Sequence, residues 1–180
     1  PVFKDYLKMS PLKFFNIKKK NFLCFLSIVY LIFSSSSAIS KIVGDKIFIG
    51  TTFSLDGENS STSNSFKNKI DKLLKDINQS GGVNAGGKSY NLEIIFYNDE
   101  SDSTKLNHLL ERLIKYDGVQ FLIVLEETNL TDNTQNTIND YDISVVKSNE
   151  ALRIYKEAFE TVDSVNPKQI RDFLLKKIKN

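Results

Sequence analysis

Residues 77–102 read INQSGGVNAGGKSYNLEIIFYNDESD. Inside that stretch, Gly82 to Ser89 (GVNAGGKS) matches G-x-x-x-x-G-K-S, the spelling of a phosphate-binding loop. Such a loop works by position. Its backbone N–H groups and the first turn of the next helix converge on phosphate oxygens, so it must leave a strand and enter a helix. Here the order is reversed. Upstream, Phe66, Ile70, Leu73, Leu74 and Ile77 recur at helical spacing on one stripe. Downstream, Leu92 to Tyr97 is a β-branched and aromatic run of strand length. The octapeptide therefore reads as a connection from a helix to a strand, with glycines that supply positive φ and with Lys88 and Ser89 solvated. Nucleotide binding is rejected on that topology.

The neighbouring segments extend the same alternation. Ile47-Phe-Ile-Gly50 is a first short strand, followed by a polar stretch from Thr51 to Ser65 that reads as a loop. After the strand at 92–97, Asn98-Asp-Glu-Ser-Asp102 makes a turn in which Ser101 or Asp102 can cap the next helix. That helix carries Leu106, Leu109, Leu110, Leu113 and Ile114 and stops at Asp117-Gly118. Phe121 to Leu125 is a third strand, apolar on both faces. The order β-α-β-α-β with continuously apolar strands predicts an α/β fold, a three-layer parallel sheet with helices on both faces. Beyond it, Glu126 to Asp142 reads as a polar loop, Ile143 to Val146 as a short strand, and residues 151–162 as a helix. Asn166-Pro167 then caps a last helix bearing Ile170, Phe173, Leu174 and Ile178.

Composition narrows the class. The 180 residues suffice for one domain, and 41% are apolar and 26% charged. The formal charge of +2 hides an asymmetry: residues 1–40 hold six Lys and one Asp, so the rest of the chain is about −3. A basic nucleic-acid face is therefore not expected. The six lysines include Lys18, Lys19 and Lys20, which precede an apolar run from Phe22 to Phe33 and a serine-rich exit to Ser40. That is the pattern of a secretory signal peptide cleaved near Ser40, with an N-terminal membrane anchor as the alternative. Met9 is read as the start of the chain, the first eight residues being an over-extension.

The glycine-rich connection and its surroundings also resemble a family. The run Ile77-Asn-Gln-Ser-Gly-Gly-Val-Asn-Ala-Gly-Gly, the strand at 92–97, Asn98-Asp-Glu-Ser-Asp and Asp117-Gly-Val119 are similar to the first lobe of type I periplasmic binding proteins, in the leucine/isoleucine/valine-binding branch. Phe48-Ile-Gly50 with Ser54-Leu-Asp-Gly57 resembles that branch's opening strand and loop, and residues 158–174 resemble a helix pair from late in such proteins. The resemblance implies a chain with most of the second lobe absent. It divides as 1–40, extension and signal peptide; 41–128, first-lobe ligand-binding domain; 129–148, polar linker with a short strand; and 149–180, C-terminal helix pair. The departures fall at the third strand. Where the family continues with a Gly-Pro turn and small hydroxyl residues, this chain has Glu126 and Glu127, which would repel a ligand carboxylate.

In an open parallel sheet, ligands bind outside the C-terminal ends of the strands. Ser54, Asp99 and Thr128 each follow a strand end closely and are the candidate ligand-binding residues. Asp99 and Ser101 have a structural alternative, turning the chain and capping a helix. No nucleophilic triad can be assembled, because the one His, His108, lies in a helical pattern and the one Cys, Cys24, lies in the leader. No catalytic residue, metal or cofactor is expected. The expected function is an exported, non-enzymatic solute-binding-like protein for a small polar ligand such as an amino acid, shortened and weak in binding, working with a membrane transporter or receptor. The alternative is a secreted interaction module, including a homodimer, or a partial product of a receptor gene. Asn59, Asn78 and Asn129 each begin an N-glycosylation triplet.

Overall fold

A computed structural model describes residues 42–178, so the expected signal peptide lies outside the described residues. Six strands and five helices follow one another along this stretch. The strands are β1 (Ile42–Val43), β2 (Lys46–Phe53), β3 (Val83–Ala85), β4 (Lys88–Asn98), β5 (Phe121–Val124) and β6 (Ser144–Lys147). The helices are α1 (Ser60–Gln79), α2 (Ser103–Lys115), α3 (Asp132–Asp140), α4 (Ala151–Val162) and α5 (Pro167–Ile178).

The sheet runs β3-β4-β2-β5-β6, with β1 folded back on the start of β2. The four strands β4, β2, β5 and β6 are mutually parallel, whereas β1 and β3 pair antiparallel at hairpins. Register follows burial. Ile47 and Ile49 of β2 point to one face, where they meet Leu92, Phe121, Ile123 and the apolar stripes of α1, α4 and α5. Leu122, Val124 and Val145 point to the other face, where α2 and α3 cover them with Leu110, Leu113, Ile114 and Ile138. This is the expected three-layer α/β arrangement. Gly50 shows how tightly the second layer sits. A Cβ at that position would lie 2.9 Å from Leu122 Cδ2 and 3.2 Å from Leu113 Cδ1, so only a glycine lets α2 close on the sheet without a shift.

Three sequence expectations are corrected. First, α1 begins at Ser60 rather than Phe66, and β2 runs on to Phe53, so the polar loop shrinks to residues 54–59. Ser63 explains the difference: it is buried and its Oγ accepts the backbone N–H of Ser54 at 2.7 Å, so a hydroxyl does the anchoring. Secondly, residues 126–142 are not all loop, because they contain α3. Thr131 caps it by accepting from the Thr134 N–H, and buried Asn107 of α2 accepts from the Thr131 N–H at 2.9 Å. The short strand expected at 143–146 is β6, which pairs parallel with β5 as the fourth parallel strand of the sheet. Thirdly, the octapeptide at 82–89 is a hairpin joining β3 to β4, with Gly86 and Gly87 at its tip.

No helix follows that hairpin, as the topological reading required. Two of its glycine amides bond within the protein instead. The Gly86 N–H donates to Asp163 Oδ1 at 2.7 Å, at the end of α4. Gly82, at φ +77°, returns its N–H to the Ile77 carbonyl at 2.9 Å and so closes α1. Asn78, one residue from that end, clamps the next strand. Its amide accepts from the Leu92 N–H at 2.8 Å and donates to the Leu92 carbonyl at 2.9 Å.

Candidate functional site

The crossovers leave the sheet in two directions. The chain passes from β2 to β4 on one side, then from β4 over to β5 and on to β6 on the other. The loops after β2 and β5 therefore diverge, and a crevice opens outside their C-terminal ends. A cleft of about 500 Å³ lies there. Ser54, Asp99 and Thr128 all line it, so the structure brings the three sequence-derived candidates into one cavity. The loop after β4 and the first turns of α1 and α2 complete the wall, through residues such as Asn59, Ser63, Ser101 and Asp102.

The floor is rigid. Ser54 Oγ donates to Asp99 Oδ1 at 2.5 Å, and the Ser101 N–H donates to the same oxygen at 3.0 Å. Asp99 is 2% exposed. Its backbone N–H donates to the Phe53 carbonyl, which continues the β2–β4 ladder past the strand end. Above it the two loops are stapled. Asn98 Oδ1 accepts the N–H groups of Leu55 and Glu100, while Ser101 Oγ donates to the Asp56 carbonyl and accepts from the Asn59 N–H. The turn holds Glu100 and Ser101 at φ +56° and +61°, a left-handed geometry costing of order 1 kcal/mol per residue. The network supports that turn, so Asp99 and Ser101 turn the chain as well as facing the cleft, while the cap of α2 is Asp102.

Asp102 is the cap of α2. It accepts from the Thr104 and Lys105 N–H groups, and those bonds, Lys105 first, hold its carboxyl below the usual carboxylate range. Thr128 sits at the lip. Its N–H closes a turn on the Leu125 carbonyl, and its own carbonyl accepts from Lys147 Nζ at 2.9 Å. Of the two glutamates after β5, Glu127 lines the cleft and Glu126 does not. Thr52 also lines the cleft; it falls in the stretch read from the sequence as loop and is the penultimate residue of β2. Ser63 is missed for the same kind of reason: it sits in a segment that reads as loop. His108 is exposed on α2 away from the cleft, and among the described residues no group of three or more His, Cys, Asp or Glu is placed to hold a metal ion.

No family model and no curated protein matches the chain. Solved structures do. The chain is similar to substrate-binding proteins of branched-chain amino acid transporters. One is the binding protein LivJ from Streptococcus pneumoniae in complex with isoleucine, at 15% identity and a TM-score of 0.48, over 57% of this chain and 28% of that one. Another is a putative branched-chain amino acid transporter protein from Rhodospirillum rubrum, at 14% identity and a TM-score of 0.45, over 62% and 32%. A third is a possible leucine/isoleucine/valine-binding protein from Rhodopirellula baltica, at 13% identity and a TM-score of 0.45, over 67% and 32%. This chain thus spans about a third or less of the length of those proteins.

Proposed function

We propose that the protein is a non-enzymatic binding module that takes a small polar ligand, of amino-acid size, in the cleft at the ends of β2, β4 and β5. The observation that carries this reading is the convergence of Ser54, Asp99 and Thr128 on one crevice at the switch point of a parallel sheet. The lining is polar and hydrogen-bonding and contains no His or Cys, which favours holding a ligand over transforming it. Ser54, Asp99 and Thr128 are assigned to ligand contact. One lobe encloses only part of a ligand, so affinity is weak, with a Kd of about 1 mM, or about 4 kcal/mol.

The basic, apolar and serine-rich leader favours export, and among the described residues no helix is long and apolar enough to cross a membrane. A transporter or receptor is the partner that a solute-binding module would serve. Amide chemical-shift titration of the mature chain, with a panel of amino acids, monocarboxylates and monoamines, tests the reading. Saturable shifts clustered at residues 52–54, 98–103 and 125–129 support it. Saturable shifts elsewhere alone, or none up to about 50 mM, contradict it.

A second reading is self-association. Among the described residues no strand pairs with the outer edge of β6, which borders an apolar groove of about 600 Å³ between α3 and α5, where Leu175 is 48% exposed. Sedimentation at increasing concentration distinguishes it, because a monomer throughout argues against that role.

A further inference from the structure

The charges around the cleft decide what kind of ligand it accepts. Three carboxylates line it, Asp99, Asp102 and Glu127, and among the described residues no Lys, Arg or His does. Two opposing contributions must be weighed. The N-termini of α1 and α2 both face the cavity, and each contributes at most about half a positive charge. The α2 end is already engaged by the Asp102 carboxylate. Lys147 reaches the Thr128 carbonyl, and Lys105 is paired with Glu100 at 2.6 Å, so neither cation lines the cavity. Three formal negative charges against about one partial positive charge leave the cleft anionic.

A separate observation points to a ligand. Thr52 is 8% exposed and lines the cleft, yet among the described residues its hydroxyl makes no hydrogen bond. Among the described residues the fully enclosed polar side-chain atoms without a partner belong to Gln120, Ser144 and Glu150, so the Thr52 hydroxyl is open to what fills the cleft. Nearby residues in the sequence show the contrast: the Thr51 hydroxyl bonds to the Thr52 carbonyl, and the Ser54 hydroxyl to Asp99. The Thr52 hydroxyl can accept from an N–H donor brought by a ligand.

We infer that the cleft binds a primary ammonium group on a small, partly apolar amine and rejects a ligand carboxylate, with Thr52 and the carboxylates of Asp99 and Glu127 receiving the ammonium. An ammonium has three donors and no acceptor, which suits a hydroxyl oxygen and carboxylates. Leu106 and Leu125, which also line the cavity, provide contact for a short alkyl chain. The inference rests on the proposed binding role of the same cleft, and it narrows the ligand class within it.

The test uses three compounds that differ by one group: leucine, isoamylamine (leucine without its carboxylate) and 4-methylpentanoate (leucine without its ammonium). Affinities are measured by amide-shift titration on the wild-type chain and on the Thr52→Val and Glu127→Gln variants. Isoamylamine is expected to bind more tightly than leucine, and 4-methylpentanoate not at all. Glu127→Gln is expected to weaken the amine about three- to tenfold, and added salt to weaken it further. Thr52→Val, close in shape, is expected to weaken it about threefold or more with the fold's spectrum retained. Binding of leucine or 4-methylpentanoate in preference to the amine overturns this inference and leaves the binding role standing. Unchanged amine affinity in both variants also overturns it. No binding by any of the three, or by any member of the wider panel, overturns both.

Discussion

Ser54 and Asp99, 45 residues apart, are joined by a hydrogen bond of 2.5 Å between the serine hydroxyl and a carboxylate oxygen. The bond ties the loop after β2 to the loop after β4 and fixes the floor of the cleft. Hydrogen bonds to charged groups contribute about 1.5–3 kcal/mol. Ser54→Ala is therefore expected to lower unfolding stability by about 2 kcal/mol, read as a shift of the urea midpoint without a change in slope. A loss below about 0.5 kcal/mol would mean that the bond does not hold the loops.

The glycines of the β3–β4 hairpin differ sharply in what they tolerate. A Cβ on Gly82 would lie 2.1 Å from the Tyr90 carbonyl oxygen, a backbone atom that cannot swing away, at φ +77°. Gly87, at φ +71°, has nothing within 4 Å of the same construction. Gly87→Ala is expected to cost about 1 kcal/mol, the left-handed penalty alone. Gly82→Ala is expected to cost more than about 3 kcal/mol, because strand β4 must move. Equal effects in paired urea melts would refute the packing argument.

Tyr155 of α4 is fully buried beneath the sheet. Its hydroxyl reaches the carbonyls of Leu122 at 2.9 Å and Ser144 at 2.7 Å, so one proton serves both β5 and β6. Burial, foremost, pushes its ionisation far above the ordinary tyrosine range, so it stays neutral. Tyr155→Phe keeps the ring stacked on Phe159 and leaves the carbonyls without that donor. The expected loss is about 1–2 kcal/mol, measured by denaturant unfolding. Hydrogen exchange at β6 should quicken more than at β4.

Asp102 sets an acid-dependent component of stability. The Lys105 and Thr104 N–H groups depress its folded pKa below the ordinary value of 3.8. A carboxylate lowered in this way stabilises the fold above its unfolded pKa, and the contribution is lost as pH falls through the folded value. The window therefore lies below about pH 4. Asp102→Asn retains a capping acceptor and does not titrate. Compared with wild type, it should show a shallower fall in stability below pH 4, whereas Asp102→Ala should be less stable already at pH 7. A fall at acid pH identical to wild type in Asp102→Asn would exclude this carboxyl as a source.

Particular residues show which parts of the fold were legible in the sequence. Apolar stripes at Phe66–Ile77 and Leu106–Ile114 announce α1 and α2, because each buries one continuous face. Asp102 announces the start of α2, since its side chain is one of few that can cap there. Helix α3 gave no such signal. Of its nine residues, the buried ones are Thr134, Thr137 and Ile138, so two hydroxyls occupy positions that a stripe would fill with aliphatic groups. The first turn of α1 was hidden in the same way, by Ser63. The cleft was legible where residues follow a strand end, as Ser54, Asp99 and Thr128 do. Thr52 lay in the stretch read as loop after the first strand, but nothing in the sequence singled out its hydroxyl from its neighbours.

A crystal structure of the protein soaked with isoamylamine tests the central claim most directly. The account predicts the amine in the cleft, its nitrogen within about 3.2 Å of Thr52 Oγ1 or of a carboxylate oxygen of Asp99 or Glu127. Amine density only at other places, or an empty cleft when solution shifts are saturated, would contradict it.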